Sequence, residues 1–440
     1  MAMPQWITSA LNYGRESSED YRIEESYRGW LLYLNTITSE VYRKVFFPYS
    51  QANDPLVAEP ITGSIVNRLA TSFRSASFYT TADPKLQPIL DEVLLELDWR
   101  RKTLDVMTRQ LATGSLSVWL AVNDVGTIIP TYIPGYFGGK VFDDMGRSPV
   151  GFYQLFEVDN ASSIKPIDKI NNPKQQKLLI YADSTDIRKW TDGKLMYNEP
   201  HNLPFIPVTW FDSVDMDENG QYGVPYSNRF FNPLIHLNSL LTQKQKAILF
   251  LQNVWVAKSM NAPTPGEPSI SLRPNEINFL PESGSLEQAI RNLNLTEEST
   301  QIDYLKQVIY KAAQVPQDDD LSSKGKIESG VALRILYAQL AEITSRLDDD
   351  FKISERDLLA KAMYMKMARR GGAPAEMPEI VIVSSSNAIP EDDDRELARD
   401  LSLLQAGIYT LDQLKEKYNG VQSESVSITS SESDRSPAIS

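Results

Sequence analysis

No cysteine occurs among the 440 residues, which excludes disulfides and thiolate metal sites. That fits a reducing compartment such as a cytoplasm. Histidine is nearly as scarce, with His201 and His236 far apart in the chain. His236 falls in an apolar-sided helical stretch and reads as structural. His201 follows Asn198-Glu-Pro200 and reads as a solvated turn residue. Without thiols or neighbouring histidines, Cys/His catalysis and zinc chemistry lack their groups. No phosphate-binding G-x-x-x-x-G-K-[ST] loop is present, because Gly135 to Lys140 is one residue short of that spacing. A G-x-S-x-G nucleophile elbow is also missing. Nothing in these residues implies a cofactor, a metal or an enzyme.

Long apolar runs are missing too. A membrane span needs ~20 apolar residues, and stretches such as Ala247-Ile-Leu-Phe-Leu251 are far shorter. The first residues, Met1-Ala-Met-Pro-Gln-Trp6, lack the basic and apolar regions of a secretion signal. No basic stripe offsets the 58 acidic residues, which outnumber 44 basic ones and leave a net charge of −14. Proteins that grip DNA by neutralising phosphates carry basic patches. Two readings stay open: an ordinary acidic surface, or a conduit that repels phosphates so that DNA slides without sticking.

What is present changes character along the chain. Residues 1–50 read as helical, with Ser18-Glu-Asp20 as an acidic start and Tyr27, Trp30, Leu31 and Leu34 at helical spacing, up to Pro48. Residues 55–110 read as mostly helical, with Leu90, Leu94 and Leu97 on one face and Phe78 to Thr81 extended. Between 113 and 212 the period shortens. Ser115 to Val122 alternates as a half-buried strand, Asn123 to Gly126 is a turn, and Thr127 to Ile133 holds a proline suited to an edge. Val150 to Phe156, Lys177 to Tyr181 and Ile187 to Trp190 complete an antiparallel module, and Pro207 to Phe211 leads out of it.

A helix is expected from Asn232 to Gln252. Leu234, Leu237, Leu241, Ile248 and Leu251 lie on its apolar side, and Asn238, Thr242, Gln245 and Lys246 on the other. Five prolines between Asn261 and Glu282 mark a compact β-and-turn insertion. Helix returns at Ser299 to Ala313, with Ile302, Leu305 and Ile309 on one face. Pro316 stops it. Gln317 to Lys326 is polar and reads as an exposed loop. From Ser329, Leu333, Leu336, Leu340, Ile343 and Leu347 form one seam of a long helix that stops at Arg370-Gly-Gly372. Glu379 to Val383 reads as a last strand, Pro390 to Gly407 and Thr410 to Tyr418 as helices, and the serine-rich tail from Val421 as disordered. Three acidic triplets occur, Asp318 to Asp320, Asp348 to Asp350 and Asp392 to Asp394. Consecutive carboxylates on a helix point apart, so they read as solvated charge rather than metal sites.

The run Ile309-Tyr-Lys-Ala-Ala-Gln-Val-Pro316, the polar loop, and Ser329-Gly-Val-Ala-Leu333 together resemble the portal proteins of tailed double-stranded DNA phages. Trp210 to Ser227 resembles that family's crossing from wing to stem, and Gly114 to Pro134 its wing. The likeness covers roughly residues 60–420 and is one of order and short motifs. It implies an α+β fold with these parts: N-terminal helices and a β-containing wing (1–230), a stem helix (231–255), a clip (256–296) and a second stem helix (297–314). A channel loop (315–328), a long wing helix and strand (329–388), crown helices (389–420) and a disordered tail (421–440) follow.

The resemblance also implies a function. It implies a homo-oligomeric ring, usually a dodecamer, at one capsid vertex, through which double-stranded DNA passes without sequence preference during packaging and ejection. The terminase large subunit and later neck or head-completion proteins dock on it, and the major capsid and scaffolding proteins surround it. Its place is the virion, after assembly in the host cytoplasm, with no membrane involved. By that resemblance Asp318, Asp319, Asp320, Ser322, Ser323, Lys324 and Lys326 face the channel, the lysines touching phosphates and the aspartates repelling them. Lys244, Lys246, Glu297 and Glu298 are candidates for the stem's channel wall, and Glu267, Arg273 and Glu276 for the docking clip. Another structural virion protein (neck, baseplate or minor capsid component) is the alternative, and a carboxylate hydrolase a third reading.

Overall fold

A computed structural model describes residues 18–35, 55–73, 77–143, 148–158, 176–191, 194–252, 296–317, 330–372 and 376–384, with residues 43, 46, 47, 146, 164–165, 255–258, 285–288 and 374. The chain divides into two units, Met1–Ile389 and Pro390–Ser440, and every described residue lies in the first.

Five helical and extended elements open the chain: α1 (Ser18–Leu34), α2 (Ile61–Ser72), β1 (Phe78–Thr81), α3 (Gln87–Glu96) and α4 (Trp99–Thr113). The expected stripe on α3 is buried, with Leu90, Leu94 and Leu97 all inside the core. On α1, Leu31 is buried but Leu34, at the last turn, is exposed. Arg22 fastens α1 to the sheets. Its guanidinium donates to Gly135 O at 2.7 Å and Gly138 O at 3.1 Å and lies 4.4 Å from the Tyr222 ring centre.

The β module contains two antiparallel sheets. Strands β2 (Ser115–Val122), β3 (Ile128–Pro134) and β10 (Val208–Asp212) form the first, in the order β10-β2-β3. Pro130 sits on the edge strand, where its missing N–H costs no ladder bond. Two expectations are corrected here. β2 is not half-buried, because its first four residues are all buried and both faces are covered. Nor does Val208 to Asp212 simply leave the module, because it returns to pair with β2 from Val208↔Trp119 to Asp212↔Ser115.

The second sheet comprises β4 (Gly138–Phe142), β5 (Pro149–Val158), β6 (Ile164–Lys165), β7 (Gln176–Asp183), β8 (Asp186–Thr191) and β9 (Lys194–Pro200). Its order is β4-β5-β7-β8-β9, with β6 beside β5. Asn198-Glu-Pro200 therefore ends a strand rather than forming a turn. His201 is not simply solvated: Leu203 N donates to its Nδ1, and its Nε2 lies 2.8 Å from Asp183 O. The sheets meet around Ile133, Phe152 and Val208, where Trp119 packs edge-on against Phe152 at 5.7 Å.

At the exit from α4, Gly114 has φ +84°, and a Cβ there would lie 2.5 Å from Gly223 O. A Cβ on Gly223 would lie 2.2 Å from Gly114 O. Two backbones cross here at a separation that only paired glycines permit. The sequence Tyr222-Gly-Val-Pro-Tyr-Ser227 thus makes a close crossing and a short helical turn, Tyr226–Phe230.

Helix α5 (Phe231–Gln252) follows, then β11 (Trp255–Lys258) paired with β12 (Ser285–Gln288), and α6 (Thr296–Ala312). Leu234 and Leu237 are buried as expected, and so are Asn238 and Thr242 from the other, polar side. Glu59 N donates to Asn238 Oδ1 at 3.1 Å and Val57 N to Thr242 Oγ1 at 3.0 Å. An extended segment with no regular partner takes its hydrogen bonds from this helix face. His236, read as structural, is exposed.

Helix α7 (Gly330–Arg369) runs for 40 residues through the main core. Leu340, Ile343 and Leu347 are buried as the spacing requires, followed by Phe351, Leu358, Ala362 and Met363. It also buries charge in successive turns. Glu355 accepts from Trp99 Nε1 at 2.6 Å and from Tyr79 OH at 2.9 Å. Lys361 donates to Val208 O at 2.7 Å and pairs with Asp357. Lys366 joins Glu92 at 2.8 Å and Glu96. Each buried charge has a partner from another element, as a low-dielectric interior demands. Asp348 is likewise not solvated, because it pairs with Lys352 and accepts from Ser384 Oγ. Gly371, at φ +85°, ends the helix. Beyond it β13 (Ile380–Val383) pairs antiparallel with β1.

Candidate functional site

At the end of α6, groups from α2, α7 and the turn before α5 come together. Ala313 N still bonds Ile309 O, but Gln314 turns left-handed at φ +55°. Glycine usually fills such a cap, since a Cβ there clashes with the backbone. Val315 N then reaches back to Tyr310 O, and Pro316 offers no donor to extend the helix. Val315 and Pro316 are buried, so the segment expected to project from 315 is still inside the protein there.

Two arginines hold this elbow. Arg229, in the turn before α5, donates from one nitrogen to Gln314 Oε1 at 3.0 Å and Tyr226 OH at 3.1 Å. Its other nitrogen donates to Asp215 Oδ1 at 2.7 Å, and Nε donates to Oδ2. Burial lowers the affinity of Arg229 for its proton, but the bonds to Asp215 and the neighbouring Tyr226 more than reverse this, and its pKa is raised. Tyr226 OH donates to Ala313 O at 2.8 Å. Burial pushes the Tyr226 phenol up to about 12 despite the nearby guanidinium, so it remains a donor at neutral pH. Arg68, on α2, donates to Pro316 O at 3.0 Å and to Tyr337 OH at 3.0 Å. Tyr337 stands on α7, beyond residues 318–329.

A cleft of about 180 Å³ opens beside the elbow, lined among others by Gln307, Lys311, Gln314 and Gln339. Below it α5 and α6 are tied together. Lys244 Nζ donates to Ser299 Oγ at 3.0 Å, and Lys306 pairs with Glu59, whose N–H binds Asn238. The pairs 244 with 299 and 238 with 306 run in opposite sequence order, so the two helices are antiparallel.

The stem candidates fall on this hairpin. Lys244 is half-buried against Ser299, Lys246 is exposed, and Glu298 is half-buried in the first turn of α6. Glu297 belongs to that same turn. Asp318, Asp319, Asp320, Ser322, Ser323, Lys324 and Lys326 lie outside the described residues, as do Glu267, Arg273 and Glu276. Pro316 had marked the elbow. Arg68 and Arg229 carried no signal in sequence, because each reaches the elbow across at least 85 positions. Among the described residues no group of three His, Cys, Asp or Glu is placed to hold a metal ion. No described helix is long and apolar enough to cross a membrane. The arrangement fixes backbone geometry and supplies no paired nucleophile and base.

No protein-family model matches the chain, and no curated protein matches it. Among solved structures it is similar to a chain from "Neck of empty GTA particle computed with C6 symmetry". That match has 11% identity and a TM-score of 0.44, and it covers 87% of this chain and 99% of the other. A chain from "Virion of native gene transfer agent (GTA) particle" matches with the same identity and coverage at a TM-score of 0.40.

Proposed function

We propose that this chain is the subunit of a phage portal, a ring at a capsid vertex through which double-stranded DNA is packaged and released. One observation carries the reading. An antiparallel pair of helices, with the strand pair Trp255–Lys258 and Ser285–Gln288 inserted between them in sequence, is followed by a fixed elbow, a short polar stretch of sequence and a 40-residue helix. That order matches the portal-like run of motifs in the sequence. In this reading α5 and α6 are the stem and the insertion is the clip. Residues 318–329 reach the channel, where Lys324 and Lys326 meet phosphates and Asp318 to Asp320 repel them.

The chemistry required is weak and repeated. Duplex DNA carries one negative charge per ~1.7 Å of axis. A lining with net attraction at each step would hold the duplex still, whereas a chain of net charge −14 favours passage. No bond is made or broken by this subunit. Terminase drives the DNA from the clip, neck proteins take its place afterwards, and the surrounding capsid proteins anchor the ring within the virion. A ring of identical copies uses heterologous contacts that close by rotation. Electron microscopy of the purified protein tests the proposal. Closed rings with a central hole are expected, and monomers alone at high protein concentration across several salts would overturn it.

A further inference from the structure

We infer that Arg68 is a staple that holds the end of α6 against the N-terminal part of α7. Pro316 follows α6 and Tyr337 lies in α7, past its start at Gly330, and a single guanidinium on α2 bonds both. The planar fork of arginine can address two acceptors at once, which a lysine ammonium does with less geometric control. The Arg68 guanidinium also lies 5.7 Å from the Tyr337 ring centre.

The elbow needs such support. Gln314 occupies a left-handed conformation that favours glycine, and its side chain is fixed from a second direction by Arg229. Tyr226 holds the preceding carbonyl. These two contacts secure the α6 end to the turn before α5, whereas Arg68 joins the α6 end to the N-terminal part of α7. This inference does not require that rings form.

The absence of cysteine makes it directly measurable. Spin labels at Lys311→Cys and Gln339→Cys, both exposed and on either side of the cleft, report the separation of α6 and α7. A second pair at Gln243→Cys and Gln301→Cys reports the α5–α6 hairpin as a control. Labelled full-length chain is diluted into a large excess of unlabelled protein, so that neighbouring copies do not contribute. In Arg68→Met the first distance distribution is expected to broaden by roughly twofold through local opening, while the control pair stays unchanged. An unchanged first distribution in folded Arg68→Met overturns the inference. If that variant does not fold by circular dichroism, Tyr337→Phe decides, since it removes one acceptor and keeps the ring. Broadening there supports the staple, and its absence overturns it. Failure of ring formation in microscopy would leave this readout intact.

Discussion

The sheet β10-β2-β3 and the six-stranded sheet built on β5 and β7 are both antiparallel, yet among the described residues only the first contributes buried side chains to the main core. Leu116, Val118, Leu120 and Phe211 belong to the same core as α7, where Trp99 and Phe211 pack against Phe351. The six-stranded sheet keeps a small cluster of its own, Tyr153, Leu179, Tyr181 and Trp190, and all seven residues of its edge strand β9 are exposed. The two sheets are paired alike and differ in how much apolar surface they bury in the main core, and burial supplies the main favourable term of folding.

The tryptophans give the largest test of that contrast. Trp99 is fully buried, packs on Phe211 and Phe351, and donates to buried Glu355. Trp99→Ala is expected to cost about 4 kcal/mol in denaturant unfolding followed by circular dichroism, and to leave Glu355 without one donor. Trp190, in a four-residue cluster, should cost less than about 3 kcal/mol when cut to alanine. The two should also differ in reach. Trp190→Ala is expected to speed amide exchange across β7 to β9 alone, whereas Trp99→Ala speeds it in α7 and β2 as well. Equal reach would dissolve the comparison.

Acid separates the regions next. Hydrogen bonding to Lys366 holds the Glu92 carboxyl below its usual range, against burial, with Arg370 adding to the effect. Burial pushes Asp183 up, but N–H groups of Asp186 and Thr185, the Thr185 hydroxyl and Arg188 outweigh it and hold the carboxyl low. A depressed carboxyl stabilises the fold fully above its unfolded pKa, and that contribution is lost as pH falls through the lower folded value. Stability should therefore decline below about pH 4. Glu92→Gln is expected to flatten the acid limb of global unfolding, since Glu92 joins α3 to α7. Asp183→Asn should flatten it only for local exchange in the six-stranded sheet. A global effect from Asp183→Asn would show that the sheets are coupled.

The same contrast explains what could be read from sequence. Elements whose partners lie inside their own periodicity were legible: the stripe of α3, the seam of α7, the proline stop after α6 and the edge proline of β3. Choice of partner was not. Val208 to Asp212 has the composition of a strand but no mark that it pairs with β2, 89 to 97 residues earlier. Asn238 and Thr242 show only a polar side until the segment at Val57 and Glu59 is laid against them. Of the site, Pro316 announced the elbow, but Arg68, 248 residues away, announced nothing. Buried Glu355, Lys361 and Lys366 were hidden for the same reason, since a charge on a helix reads as solvated unless its partner is known.

The smallest expected effect comes from β9, which sequence reading missed because Leu195, Met196 and Tyr197 are consecutive rather than alternating. The structure supplies the cause. Trp190 pairs with Leu195 while Lys189 pairs with Tyr197, so the register slips around Met196 and the strand carries a bulge. A bulge twists an edge away from further pairing, which lets an apolar edge stay exposed without recruiting another strand. Met196 is 66% exposed. Met196→Lys should therefore change unfolding stability by less than about 0.5 kcal/mol, and light scattering should show no change in association, because the bulge already blocks edge pairing. A marked fall in association on that substitution would mean that the edge is used as a contact with another copy.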